Sequence, residues 1–138
     1  MKKKYLITID GLQFMGESGI SLSTLGEFRR ENDNFFISYR DFNAINPKTD
    51  ITSFEIESNN KVTLNRRGIN NSQLVIERNQ KHHSYYRTDN GDAMVGVTAN
   101  SIINRLNDNG GTLSLSYSLD INLNELYQSS LEITVKEI

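Results

Sequence analysis

The chain contains no cysteine, which removes disulfide bridges, thiolate nucleophiles and cysteine-ligated metals together. That composition suits a reducing compartment. Tryptophan is also absent and Pro47 is the only proline, so most turns must be made by other residues. Neither sign of charge is in marked excess: 15 Lys and Arg against 17 Asp and Glu leave a formal net charge of −2 and a pI near 5.7. Binding by phosphate neutralisation needs a concentrated basic face, so nucleic acid is not an expected partner. The pairs Arg29-Arg30 and Arg66-Arg67 supply no such face, because adjacent strand residues point to opposite sides. No window approaches the roughly 18 apolar residues of a membrane span. The apolar run behind Lys2-Lys3-Lys4 reaches Asp10 after five residues, short of the roughly 7–15 of a signal peptide. The expected address is the cytoplasm, with no membrane partner.

Apolar content is ample. Leu, Ile, Val and Phe make up 38 of the 138 residues, above the roughly one-fifth below which chains stay disordered. Residues 1–138 are therefore read as one domain, large enough to bury roughly two-thirds of its unfolded surface in a single core. The pattern of that content is strict in residues 112–119, where Leu113, Leu115, Tyr117 and Leu119 alternate with serines and threonine. A strand with one wet face has this period of two, whereas a helix would scatter the leucines around its cylinder.

The same period recurs along the chain, punctuated by Asn, Asp and Gly, which tolerate positive φ or close turns with their own side chains. Strands are expected near 4–12, 20–31, 35–42, 49–57, 61–67, 72–79, 81–88, 92–106, 112–120 and 130–138. Turn signals roughly every 8–12 residues, with no capped helical segment, predict an all-β antiparallel barrel or sandwich. Two stretches read both ways. Ile102, Ile103 and Leu106 fit a helical turn or the end of a long bulged strand, and Asn122 to Gln128 fits a loop or a short helix.

An ordered series of motifs adds to this reading. Val62-x-Leu64-x-Arg66-x-Gly68, Leu74-x-Ile76, Tyr86-x-Thr88-x-x-Gly91, Val95-x-Val97, Gly111-x-Leu113-x-x-x-Tyr117-x-Leu119 and Leu131-x-Ile133, with Phe36 to Asp41 upstream, resemble the YwiB-like family. The resemblance implies a small bacterial cytosolic protein with a calycin-like, lipocalin-like β-barrel of about 8–10 strands, and no established activity. Two positions depart from the family pattern: Asp89-Asn90 follows Thr88 where Pro and an aromatic are usual, and Arg40 stands where a second acid is expected beside Tyr39.

Parity within the strands selects candidate site residues. If Val62 and Leu64 face the core, Arg66 faces it too, and a buried guanidinium must be paired and hydrogen-bonded. Tyr39 and Asp41 share one face of their strand, Tyr86 and Thr88 share one face of theirs, and Tyr117 sits among leucines. One reading makes Arg66 a bidentate anchor for an anionic or amphipathic ligand, with the tyrosines lining its pocket. The competing reading is an Arg66–Asp41 pair near a strand end that fixes register, with the tyrosines as ordinary core.

Other motifs carry less. His82-His83 lacks a third ligand for zinc and reads as exposed hairpin residues. Asp89 to Asp92 and Asn107 to Gly110 resemble calcium loops, but Tyr86 and Arg105 fall at the first ligand position, where Asp is required. Nothing points to a metal or cofactor. Catalysis is disfavoured, because an arginine beside Asp41 would lower its pKa and suit it poorly to general acid work. The expected function is a non-enzymatic small-molecule binding module. The alternative is a homodimeric or partner-binding scaffold using apolar residues such as Phe14, Phe42 or Leu126.

Overall fold

The computed structural model describes residues 3–12, 20–41, 50–67, 72–88, 91–122 and 125–138. Among these the chain forms ten strands and no helix: β1 (Tyr5–Leu12), β2 (Ile20–Glu31), β3 (Asn34–Asp41), β4 (Asp50–Glu57), β5 (Lys61–Arg67), β6 (Ser72–Glu77), β7 (Lys81–Thr88), β8 (Gly91–Asn107), β9 (Gly110–Ile121) and β10 (Glu125–Glu137). No helix is long and apolar enough to cross a membrane. All ladders are antiparallel, in the order β6-β5-β4-β3-β2-β1-β10-β9-β8-β7. Every neighbour is a hairpin partner except β1 and β10, which join the chain's two halves. β6 and β7 meet at the bridge Glu77↔Gln80, so the sheet curls into a nearly closed barrel.

The stretch from Ile102 to Leu106 is strand, and residues 125–128, expected as loop or short helix, are strand as well, which corrects that reading. A bulge between Ala99 and Ser101 inserts one residue into β8 and reverses its parity, so Ile102 and Leu106 are buried while Ile103 is 45% exposed. A turn with Asn122 at φ 53° precedes β10, which starts five residues before the expected position. The short turns use the residues their backbone demands, with Asn32 and Asn79 at φ 57° and 63°.

Inward positions form one continuous core. Ile7, Ile9, Ile37, Phe54, Ile56, Leu64, Ile76, Val97, Leu113 and Ile133 are all at most 1% exposed, each worth roughly 2 kcal/mol relative to exposure. Tyr5, Phe28 and Phe35 add an aromatic cluster, with ring centroids 5.3 and 5.9 Å apart.

The two ends of the barrel differ. At one end the turns are bonded to each other: Ser58 N donates to Asp33 O at 3.3 Å, Arg78 N to Asn60 O at 2.9 Å, and Asn104 Nδ2 to Ser58 O at 2.7 Å. The Arg78 guanidinium donates to the carbonyls of Asn59 and Ile102. Arg30 reaches over the Phe35 ring to Asp108, 3.0 Å away in the β8–β9 turn. We call this the locked end. The opposite end, the rim, is where the backbone pairs Leu12↔Ile20, Asp41↔Asp50, Arg66↔Ser72, Thr88↔Gly91 and Ile121↔Glu125 lie.

Candidate functional site

The rim halves of β3, β4 and β5 bring three inward residues into one row. Cross-strand register pairs Tyr39 with Thr52 and Thr52 with Arg66, and Gly26 pairs with Tyr39 on the other side. Opposed residues on one sheet face have Cβ atoms about 5 Å apart, so Thr52 stands between the Tyr39 and Arg66 side chains. Tyr39 is 3% exposed and stacks on Phe54 at 6.5 Å between centroids. Thr52 is fully buried, and Arg66 is half-buried. All three are engaged by neighbouring groups. A guanidinium presents five donors in a rigid, planar fork.

Tyr117 lies on the far wall. It is completely buried in β9 opposite Ser129 of β10. Burial pushes its phenol above the ordinary value of 10.0, while a side-chain hydrogen bond with Ser129 acts in the opposite direction. The phenol is therefore neutral at physiological pH and serves as a hydrogen-bonding group, not as a base.

The expected residues Asp41, Tyr86 and Thr88 are placed by backbone register alone, since their side chains lie outside the described structure. Asp41 ends β3 opposite Asp50, while Tyr86 and Thr88 pair with Ala93 and Gly91 on the rim half of β7 and β8. Phe14, Phe42 and the Leu126 side chain also lie outside the described residues. The exposed large apolar residues among those described are Leu25 at 58%, Ile51 at 44%, Ile103 at 45% and Ile138 at 72%.

One expectation needs correction. His83 is exposed as read, but His82 is half-buried, with Nε2 2.7 Å from Glu77 Oε1. Its inward parity sends the ring into the space between β6 and β7, where a carboxylate meets it. Among the described residues no three His, Cys, Asp or Glu side chains gather as a metal site.

Sequence reasoning also missed two features. Arg30 has inward parity at the end of β2, and its partner Asp108 lies on a turn 78 residues away; an Arg–Asp pair at a strand end thus exists at the locked end. The second is a concavity of about 840 Å³ on the outer wall of β2–β5, behind the inward row Phe28–Ile37–Phe54. Parity alone does not report the curvature that produces it.

Three comparisons bear on this arrangement. The family model described as a domain of unknown function, DUF1934, matches residues 7–133. The crystal structure of ywiB protein from Bacillus subtilis superposes with a TM-score of 0.68, covering 99% of this chain and 91% of that chain at 15% identity. That likeness is one of fold. No curated protein matches the chain.

Proposed function

Because the chain belongs to the DUF1934 family, whose description carries no activity, we propose from its geometry that it is a non-enzymatic binding module whose rim takes a small anionic or amphipathic molecule. The observation that carries this reading is the inward row of Tyr39, Thr52 and Arg66, in which a half-buried guanidinium stands at the rim beside two buried hydroxyl-bearing side chains. Such a guanidinium grips a carboxylate or phosphate through two parallel hydrogen bonds. Among the described residues, buried apolar side chains from nine of the ten strands meet in the interior, so this reading places the ligand at the rim, with its apolar part against Tyr39 and the rim side of the core. The bonded turns at the locked end keep the strands fixed, which lowers the ordering cost of binding. The cysteine-free composition is the ground for placing the module in the cytoplasm.

Decanoate and decanol are suitable probes, since they share a chain and differ in charge. Decanoate is expected to raise the melting temperature, and decanol to raise it less. Arg66→Gln removes a charge-assisted hydrogen bond worth about 1.5–3 kcal/mol, so decanoate affinity should fall roughly tenfold to a hundredfold. Equal decanoate binding by wild type and Arg66→Gln would overturn the reading, as would no response to decanoate at all.

A homodimer is the second reading, favoured by Leu25 and Ile51, which expose apolar side chains on the outer wall. A stable dimer would bury about 1,200 Å² or more. Light scattering that gives the monomer mass of 15.7 kDa would exclude it.

A further inference from the structure

The outer wall of β2–β5 carries a groove of about 840 Å³, within the roughly 300–1,000 Å³ typical of small-molecule sites. Its outward residues Phe36, Ser38, Ser53, Glu55 and Asn65 are half-buried.

Two cross-strand rows make its floor. One runs Glu27–Ser38–Ser53–Asn65 and the other Arg29–Phe36–Glu55. The Arg29 guanidinium rests over the Phe36 ring, 4.3 Å from its centroid, and 3.5 Å from Glu31. Gln73 Nε2 donates to Asn65 Oδ1 at 2.9 Å, so the Asn65 amide presents its NH2 as a donor. Ser38 and Ser53, directly opposite each other, add two hydroxyls that both donate and accept.

Charge in the groove is balanced, with Glu27 and Glu55 against Lys3 and Arg29. A site selecting an ion would carry an excess of the opposite sign; here hydroxyl, amide and carboxylate groups lie beside an aromatic ring. We propose that the groove binds a neutral, hydroxyl-rich ligand of the saccharide class. Serine hydroxyls, the Asn65 amide and the Glu55 carboxylate hydrogen-bond its hydroxyl groups, and the Phe36 edge packs against its C–H face. This site is independent of the rim row, which occupies the inner face of the same strands.

The test is an NMR titration of the full chain with glucose, N-acetylglucosamine and maltotriose, reading the Asn65 side-chain amide and the Phe36 ring. At least one sugar should shift both signals, saturating with a Kd of about 1–10 mM. The Tyr39 ring and Arg66 guanidinium signals, which report the rim, should stay in place. Ser53→Phe fills the groove from an outward strand position where an aromatic is tolerated, and should weaken the response at least about tenfold. Glu55→Gln keeps the shape and removes the charged acceptor, for a loss of about fivefold. The proposal is overturned if no sugar shifts these signals at about 100 mM, or if the shifts persist in a folded Ser53→Phe protein. Displacement of the groove signals by decanoate but by no sugar would equally overturn it.

Discussion

Gly26→Ala tests the packing behind the rim row. Gly26 faces inward on β2 between Tyr5 and Tyr39, and its missing side chain is the space those neighbours use. A Cβ there would collide with Ile7 Cδ1, stand 2.5 Å from Ser38 O and lie 3.2 Å from Tyr39 Cβ. The isoleucine methyl can rotate away, but the Ser38 carbonyl belongs to the β3 backbone and cannot. Overpacking of this kind costs about 1–3 kcal/mol. Replacing glycine also restricts the unfolded chain, which returns about 0.4–1 kcal/mol. The net expectation is a loss of roughly 1–2 kcal/mol, or a fall in Tm of about 4–7 °C for a domain of this size. Urea melts followed by circular dichroism measure the first quantity and thermal melts the second. The Tyr39 ring resonances should move as well, because the Ser38 and Tyr39 backbone must give way. A Gly26→Ala protein as stable as wild type, or more so, would refute the packing argument.

Further outcomes follow from the buried phenol and the locked end. Tyr117 deprotonates at a higher pH in the folded chain than its ordinary value of 10.0, so above about pH 10 the unfolded state loses this proton first. Stability should then fall by up to about 1.4 kcal/mol per pH unit until the folded value is reached. Tyr117→Phe should flatten this alkaline slope in urea melts between pH 9 and 11; an unchanged slope would assign it elsewhere. At the locked end the side chains of Arg30 and Asp108 are 38% and 76% exposed, so solvent screening limits their pair. A double-mutant cycle with Arg30→Ala and Asp108→Ala should give less than about 1 kcal/mol of coupling, reduced further by high salt. A larger, salt-insensitive value would contradict the exposed geometry.

The strand pattern was legible because alternation and turn chemistry agree at nearly every boundary. β2, β5 and β7 begin and end at the expected residues. β10 is the instructive exception. Its early half places polar Ser129 at an inward position, which interrupts the apolar alternation, and the reason is tertiary: Ser129 faces the Tyr117 phenol. The inward orientation of Arg66, and the company of Tyr39, could also be read from parity. Its neighbour Thr52 could not be singled out, because the cross-strand register that selects it depends on pairings absent from local sequence. Arg30 escaped for a related reason. It shares the inward parity of Phe28, yet at the end of β2 it spans the barrel end to a turn far away in sequence. The outer groove was illegible altogether, because alternation says which side a residue takes and not whether that side is convex or concave. Ser38, Ser53 and Asn65 look like any solvated positions until the sheet is curved.

Native mass spectrometry of the protein purified from its own cell addresses the rim most directly. The account predicts a single chain of 15.7 kDa carrying a small-molecule mass that is lost from the Arg66→Gln protein prepared in the same way. A bare dimer, or an adduct equally abundant in both proteins, would contradict it.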